Sequence, residues 1–325
     1  MPDQLIQTLH PQMLALLEDA HDLAQDAHAE NTIRTYVSLW KHFCGFCNIL
    51  GAPALPAHPA TVVAYLAHIA RNRKINTLET KLAAIRHYHL KARVQDPTSD
   101  SAVKDVLDGA RRKFGEAPTR KAAVELDVLA DLLAVQPDSL RGARNRAILL
   151  VGYACDLRRS EIVALETHNV KFFSDRMVVT LSRSKTDQTR EGFELNVPRI
   201  REDLGICPVH ALATWLTIAK IKSGALFRKI DRWEHIAESA LTDQVVADII
   251  KDAAAAAGYD PKEFSGHSLR RGLITQAARN REQTGDIRKV SRHKTEVMVD
   301  VYRADAEETQ MRVIGNALRT ISRKG

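Results

Sequence analysis

F-S-G-H-S-L-R-R-G-L-I-T (264–275) and V-S-R-H-K-T-E-V-M-V-D-V-Y (290–302) are the two ends of one stretch, Phe264 to Tyr302, around which the chain is organised. His267 and Arg270 stand three residues apart, so a helix puts them on one face. Ser265, just before them, is a candidate cap for that helix. A helix start carrying His and Arg suits an anion such as a phosphate. Nine residues further on from His293 comes Tyr302, with Val297, Val299 and Val301 between them. A phenol oxygen is a weak nucleophile until its proton is removed, so a tyrosine near two histidines and an arginine is a candidate for attack on phosphorus. Taken singly, H-x-x-R and a tyrosine near a helix end also fit ordinary core or rim positions.

The 325 residues suffice for two domains and a sizeable core. Charge is unevenly spread. Residues 1–30 hold six acids and no Lys or Arg, which marks an acidic leader. Residues 31–120 hold 14 basic against 6 acidic side chains, and residues 121–325 hold 33 against 28. Both parts beyond the leader are therefore basic, as suits a polyanionic partner. Cys44, Cys47, Cys155 and Cys207 do not make a disulfide framework in a chain this long. The C-x-x-C at 44–47 shares a helical stripe with Ile33, Val37 and Trp40, so both sulfurs are expected to face a core. No second C-x-x-C completes a zinc site, and no metal is expected. Residues 42–70 carry no charged Asp, Glu, Lys or Arg, but Gly51, Pro53, Pro56 and Pro59 break the run, so it is not read as a membrane span. With no signal-peptide pattern at the N-terminus, a cytosolic protein is expected.

In chain order, Asn31 and Thr32 cap a helix running to about Leu50. A Gly/Pro loop follows, then a helix from Thr61 and a third from Thr77. The third places Leu78, Leu82, Ile85 and His89 on one face and Lys81, Ala84, His87 and Lys91 on the other. That second face can lie along a DNA groove, where Lys meets phosphate and small residues allow close approach; it fits an ordinary solvated face equally well. Pro97 and Thr98 open a fourth helix, which ends in the basic cluster Arg111, Arg112, Lys113. Residues 115–121 read as an interdomain linker, and Arg120 and Lys121 prolong its basic character, suited to follow a phosphate backbone. Helices are then expected over 126–135, 144–154 and from C-D-L-R-R-S-E-I-V-A-L. Arg176–Leu181 and Phe193–Val197 read as strands, joined by a long polar segment containing Lys185. Pro208 begins another helix. Residues 222–240 are read as irregular, with Phe227 and Trp233 as packing anchors, and Thr242–Ala257 as a helix ended by Gly258.

These ordered pieces resemble the tyrosine recombinases, also called the phage integrase family, and the N-terminal half resembles their Cre-type members. The likeness runs from Asn31 to the C-terminus. L-R-R-S-E resembles the family's first arginine box, with the catalytic arginine at Arg158 and its supporting acid at Glu161. The strand-loop lysine falls at Lys185, the H-x-x-R box at His267 and Arg270, the second histidine at His293 and the nucleophile at Tyr302. Two positions depart from the pattern. Asp156 stands where many members have glycine, and Ser291-Arg292 where many have Leu-Gly. Both are read as matters of local turn geometry.

The resemblance implies a mainly α fold built as a two-domain DNA clamp. A helical core-binding domain (31–114) is joined by the 115–121 linker to an α-rich catalytic domain with a small antiparallel β-sheet (122–306). A C-terminal helix (307–325) carries an apolar stripe suited to docking in a neighbouring protomer. The implied activity is cleavage and rejoining of double-stranded DNA through a 3′-phosphotyrosine, by a homotetramer on inverted-repeat half-sites, with no cofactor. The expected DNA contacts are Lys81, His87, Lys91, Arg111, Arg112, Lys113, Arg120 and Lys121. Two other readings stay open from sequence: the same chemistry within one duplex, as in type IB topoisomerases or telomere resolvases, and a DNA-binding regulator without catalysis.

Overall fold

The computed structural model describes residues 30–115, 121–181 and 192–292. The acidic leader, the C-terminal helix expected over 307–325 and the segments holding Arg120, Lys185, His293 and Tyr302 lie outside them. Contacts divide the chain into two compact units, residues 1–119 and 120–325.

In the first unit, α1 (Glu30–Ile49), α2 (Pro59–Ala70), α3 (Ile75–Lys91) and α4 (Ser101–Phe114) surround one core. Helix α1 is amphipathic, and it seats Phe43 and Cys47 in that core. The buried stripe is rotated from the expected one: Val37 is exposed and Cys44 only half-buried. Trp40 explains the rotation, because it stacks on Tyr88 of α3 with ring centroids 4.5 Å apart. Pro59 starts α2 two residues earlier than expected, and His58 caps it by accepting the Ala60 amide at Nδ1. On α3 the core side includes Leu78, Ile85 and His89. His89 donates from Nδ1 to the Ile85 carbonyl and accepts the Ala57 amide at Nε2, so a buried imidazole is fully used in packing a loop.

In the second unit, α5 (Leu126–Ala134), α6 (Leu140–Ala154), α7 (Arg159–Ala164), α8 (Pro208–Ile218), α9 (Asp243–Ala256) and α10 (Ser268–Arg279) share a larger aliphatic core, and α11 (Thr284–Ser291) packs on α10 in a small separate cluster through Ile287 and Ile274. Most of α6 is buried, which is why its sequence reads as a nearly unbroken apolar run, Ala147–Tyr153. A three-stranded antiparallel sheet is formed by β1 (Val170–Phe172), β2 (Arg176–Leu181) and β3 (Phe193–Pro198), in the order β1-β2-β3. Register pairs Leu181 with Phe193 and Arg176 with Pro198. Residues 222–240 are not irregular throughout. Arg228–Ile230 (β4) and Ile236–Ala240 (β5) form a second, two-stranded hairpin. Phe227 anchors it in the core, whereas Trp233 at the turn is two-thirds exposed and lies under the Arg232 guanidinium. The hairpin was hard to read because its strands are short and polar, and a β-bulge breaks their alternation. Buried Arg144 on α6 holds it in place by donating to the Arg228 carbonyl.

Helix α10 is set against the segment at Val124, which precedes α5, by two close approaches. Gly272 has no side chain to clash with the Val124 carbonyl, which a Cβ would meet at 1.9 Å. The Val124 amide, one residue of an extended segment, donates to the Ser268 carbonyl at 2.9 Å. Together these fix the start of α10, where His267 and Arg270 sit.

Candidate DNA-cleavage site

Arg158 and Arg270 are 112 positions apart in the chain, and the second unit brings their helix starts together. Arg158 is the N-cap of α7. Glu161 reaches back from the first turn, accepting the Arg158 amide at 2.8 Å and its Nη1 at 2.7 Å. This doubles as a helix cap and as a brace for the guanidinium. The Arg158 side chain remains partly exposed, while Glu161 is buried. Burial raises the Glu161 carboxyl, but Arg292, the Arg158 amide and the Arg158 side chain outweigh it, and the net shift is downward.

Arg270 lies in the first turn of α10 and is buried. Its Nη1 donates to the Asp156 carbonyl at 2.7 Å and lies 2.9 Å from Asp156 Oδ2; its Nη2 donates to the Ser291 carbonyl. One edge of the guanidinium is thus pinned by protein. The Oδ2 approach is ionic rather than an aligned hydrogen bond, since neither Asp156 carboxylate oxygen has an aligned donor among the described residues. Burial pushes the Asp156 carboxyl well above its ordinary range; Arg270 and then Arg292 oppose that shift.

His267 is the N-cap of α10, one residue before its first turn. Ser265 does not cap the helix as expected. Its hydroxyl accepts the His267 amide, and its carbonyl accepts the Ser268 amide, making a tight turn into the helix. The ring of His267 is open to solvent, yet burial by its surroundings, then Arg159, Arg270 and Arg158, lower its pKa below 6.5. The shift favours the neutral imidazole, the form able to accept a proton. Gly266 lies against the Arg159 side chain, which a Cβ there would meet at 1.8 Å.

Of the expected site residues, Arg158, Glu161, His267 and Arg270 thus share one cluster. Lys185, His293 and Tyr302 lie outside the described residues, as does Arg120. Arg292, not singled out from sequence, joins the cluster: its Nη2 donates to the Asp156 carbonyl at 2.7 Å and to Glu161 Oε2 at 3.1 Å. The signal was present, because Asp156 and Arg292 are the two departures from glycine noted above.

The expected DNA-facing residues of the first unit divide differently. Lys81 is buried, not on an open face; its ammonium donates to the Tyr65 hydroxyl at 2.8 Å. The α3 face expected to be exposed carries Ala84 inward as well. The reason is the width of the buried arc, which on a helix packed on two sides exceeds a single 3-4 stripe. Lys91, Arg112 and Lys113 are exposed, and His87 is half-buried against Tyr36. Arg111 is exposed but paired with both Glu79 and Asp108 at 2.6 Å. Lys121, in the second unit, donates to the Lys262 carbonyl.

Residues 123–309 match the model of the phage integrase family. The chain belongs to that family. With it the chain joins the tyrosine recombinases, an enzyme class that recombines DNA at specific sites. A curated relative, an integrase/recombinase XerD homolog of Selenomonas ruminantium, is 33% identical over 284 residues, covering 86% of this chain and 82% of the relative. Among solved structures, the Tn1549 transposon integrase in complex with transposon right-end DNA superposes with a TM-score of 0.60 at 14% identity, over 92% of this chain and 98% of that one. The XerH site-specific recombinase bound to its palindromic difH substrate gives 0.59 at 14% identity, over 79% and 71%. A lambda integrase dimer bound to a core site gives 0.57 at 14%, over 91% and 81%. At such identities these structures establish a shared fold: mainly helical, with small antiparallel sheets. No helix among the described residues is long and apolar enough to cross a membrane.

Proposed function

We propose that this phage integrase family member is a site-specific recombinase that cleaves double-stranded DNA through a 3′-phosphotyrosine at Tyr302. The observation that carries the reading is the convergence of Arg158, Glu161, His267 and Arg270 at two helix starts. A phosphodiester gathers charge on its non-bridging oxygens as it is attacked. Two permanently charged, bidentate guanidiniums suit that charge, and each has one edge braced by protein. His267, in its neutral form, accepts the tyrosine proton or holds the phosphate. His293 adds a further donor, and Lys185 protonates the departing 5′-oxygen. The phosphotyrosine keeps the energy of the broken bond, so a 5′-hydroxyl of a second duplex can reverse it in exchange. Residues 31–114 serve as the core-binding domain, 115–121 as the linker and 122–306 as the catalytic domain. Exposed Lys91, Arg112 and Lys113 contact phosphates.

The working assembly is a tetramer on two duplexes bearing inverted half-sites, linked through residues 307–325. The test is a chain ending at Ala306, titrated by gel shift on half-sites and full sites chosen from a random library, together with recombination of a two-site plasmid. The truncated chain should bind one half-site as before and lose cooperativity and exchange together. Undiminished cooperativity would remove the C-terminal segment from the contact. Plasmid relaxation without exchange by the full chain would favour a topoisomerase-like role.

A further inference from the structure

Two large charged side chains occupy left-handed backbone positions beside the proposed phosphate pocket. Asp156 has φ +50° and Arg292 has φ +56°, conformations that glycine adopts freely and other residues rarely do. Such outliers persist where the surroundings over-determine them. Here both side chains point inward: the Asp156 side chain is fully buried and that of Arg292 is 6% exposed. They also face the same groups. Arg292 Nη2 bridges the Asp156 carbonyl and Glu161 Oε2, while Asp156 takes Arg270 Nη1 on both its carbonyl and its carboxylate. Through Glu161 the network reaches Arg158. The Arg292 guanidinium lies 5.9 Å from the centre of the Phe193 ring, and Phe193, the first residue of β3, pairs with Leu181, the last of β2. Its Nε and Nη1 are buried with no hydrogen-bond partner among the described residues.

Resting on the recombinase reading, we infer that Asp156 and Arg292 are a co-dependent pair of positioning residues for the two phosphate-binding arginines. The carboxylate sets the pinned edge of Arg270. The added guanidinium balances that carboxylate, and holds Glu161 at Oε2, the oxygen that also accepts the Arg158 amide. Neither substitution for glycine is sound alone. Arg292 without the Asp156 carboxylate crowds a third cation against Arg270. Asp156 without Arg292 leaves a buried carboxylate that neutralises Arg270, the group meant for the phosphate. Replacing both by glycine removes one acid together with one base, keeps the residue-156 carbonyl bond to Arg270 and relaxes both backbone positions.

The test is a double-variant cycle on covalent adduct formation with a nicked suicide substrate, using the full chain. Asp156→Gly and Arg292→Gly should each slow adduct formation about tenfold or more, and the double variant should recover about tenfold over Arg292→Gly. Asp156→Asn, whose side chain tolerates the left-handed region, should match Asp156→Gly and guards against a backbone effect. Half-site binding and thermal melting report folding for each variant. A second substrate carries methyl in place of one non-bridging oxygen of the scissile phosphate and so presents no charge for Arg270 to hold. On it, the single-variant defects should shrink severalfold, which loss of packing alone would not produce. Additive effects, or equal defects on both substrates, would overturn the pairing. No adduct from the wild-type chain on the normal substrate would overturn the recombinase reading itself, and the pairing with it.

Discussion

Lys81 in the first unit and Arg270 in the second are both buried cations, and they are buried in opposite ways. Lys81 meets a neutral hydroxyl: its ammonium bonds to Tyr65, which also contacts His42 Nδ1 at 2.9 Å, and it has no ion pair among the described residues. Arg270 meets a carboxylate and two carbonyls, amid Arg158, Arg292 and Glu161. The first arrangement hides a charge that nothing else uses. The second pins one edge of a charge, and on the proposed reading leaves the other for the phosphate. Burial of a cation therefore says little about function until its partners are known.

The largest effect expected from this contrast is at Arg270. Arg270→Lys keeps the positive charge beside Asp156 but loses the planar fork, so single-turnover cleavage should fall by about 100-fold or more. Half-site affinity should change only a few-fold, because one phosphate contact is a small part of the interface. A loss confined to binding would remove Arg270 from the chemistry.

A smaller effect concerns pH. On the proposed mechanism neutral His267 is the competent form, and its pKa is shifted below 6.5 by burial and by Arg159, Arg270 and Arg158. The acidic limb of the second-order cleavage rate at subsaturating chain, which reports groups of the free protein, should therefore lie below pH 6.5. A limb centred at or above pH 6.5 that disappears in His267→Asn would contradict the electrostatic account.

The smallest effect is at Lys81. Burial, then Arg73, lower its pKa from 10.5. In the window just below 10.5 the unfolded chain keeps a proton that the folded one gives up, so this group makes stability rise with pH there. Lys81→Met should leave stability at pH 7 within about 1 kcal/mol of wild type or raise it, since Tyr65 retains His42 as partner. It should also leave the salt dependence of DNA binding unchanged. A drop of about 0.9 in the slope of log K against log salt would return Lys81 to the DNA backbone.

The same contrast separates what was legible in the sequence from what was not. Strand Phe193–Pro198 is readable because one face is buried and its side chains alternate, whereas Arg176–Leu181 is buried on both faces at Met177–Val179 and reads instead as a short apolar, β-branched run. Helix α9 was readable through its end, where Gly258 takes φ +88°. His267 and Arg270 are legible from their three-residue spacing at a helix start, whereas Arg158 and Glu161 are reached only through the resemblance of L-R-R-S-E to the family's first arginine box. Lys81 was misread because a lysine in a helical pattern is taken as exposed, and only tertiary packing shows that its side of α3 is covered. Asp156 and Arg292 were seen as departures from glycine and set aside as turn geometry. The left-handed φ is indeed there, but their inward direction depends on contacts 136 positions apart, which no local pattern encodes.

The central claim is that Tyr302 attacks a phosphate held at the Arg158–Arg270 cluster. Wild-type chain and Tyr302→Phe, incubated with a nicked suicide substrate containing the selected site, test it directly when the products are resolved by denaturing gel and the adduct is mapped by peptide mass. The account predicts a covalent adduct on the peptide containing Tyr302, formed in EDTA without nucleotide, and none from Tyr302→Phe despite normal site binding. An adduct retained by Tyr302→Phe, or mapped to another tyrosine, would contradict it.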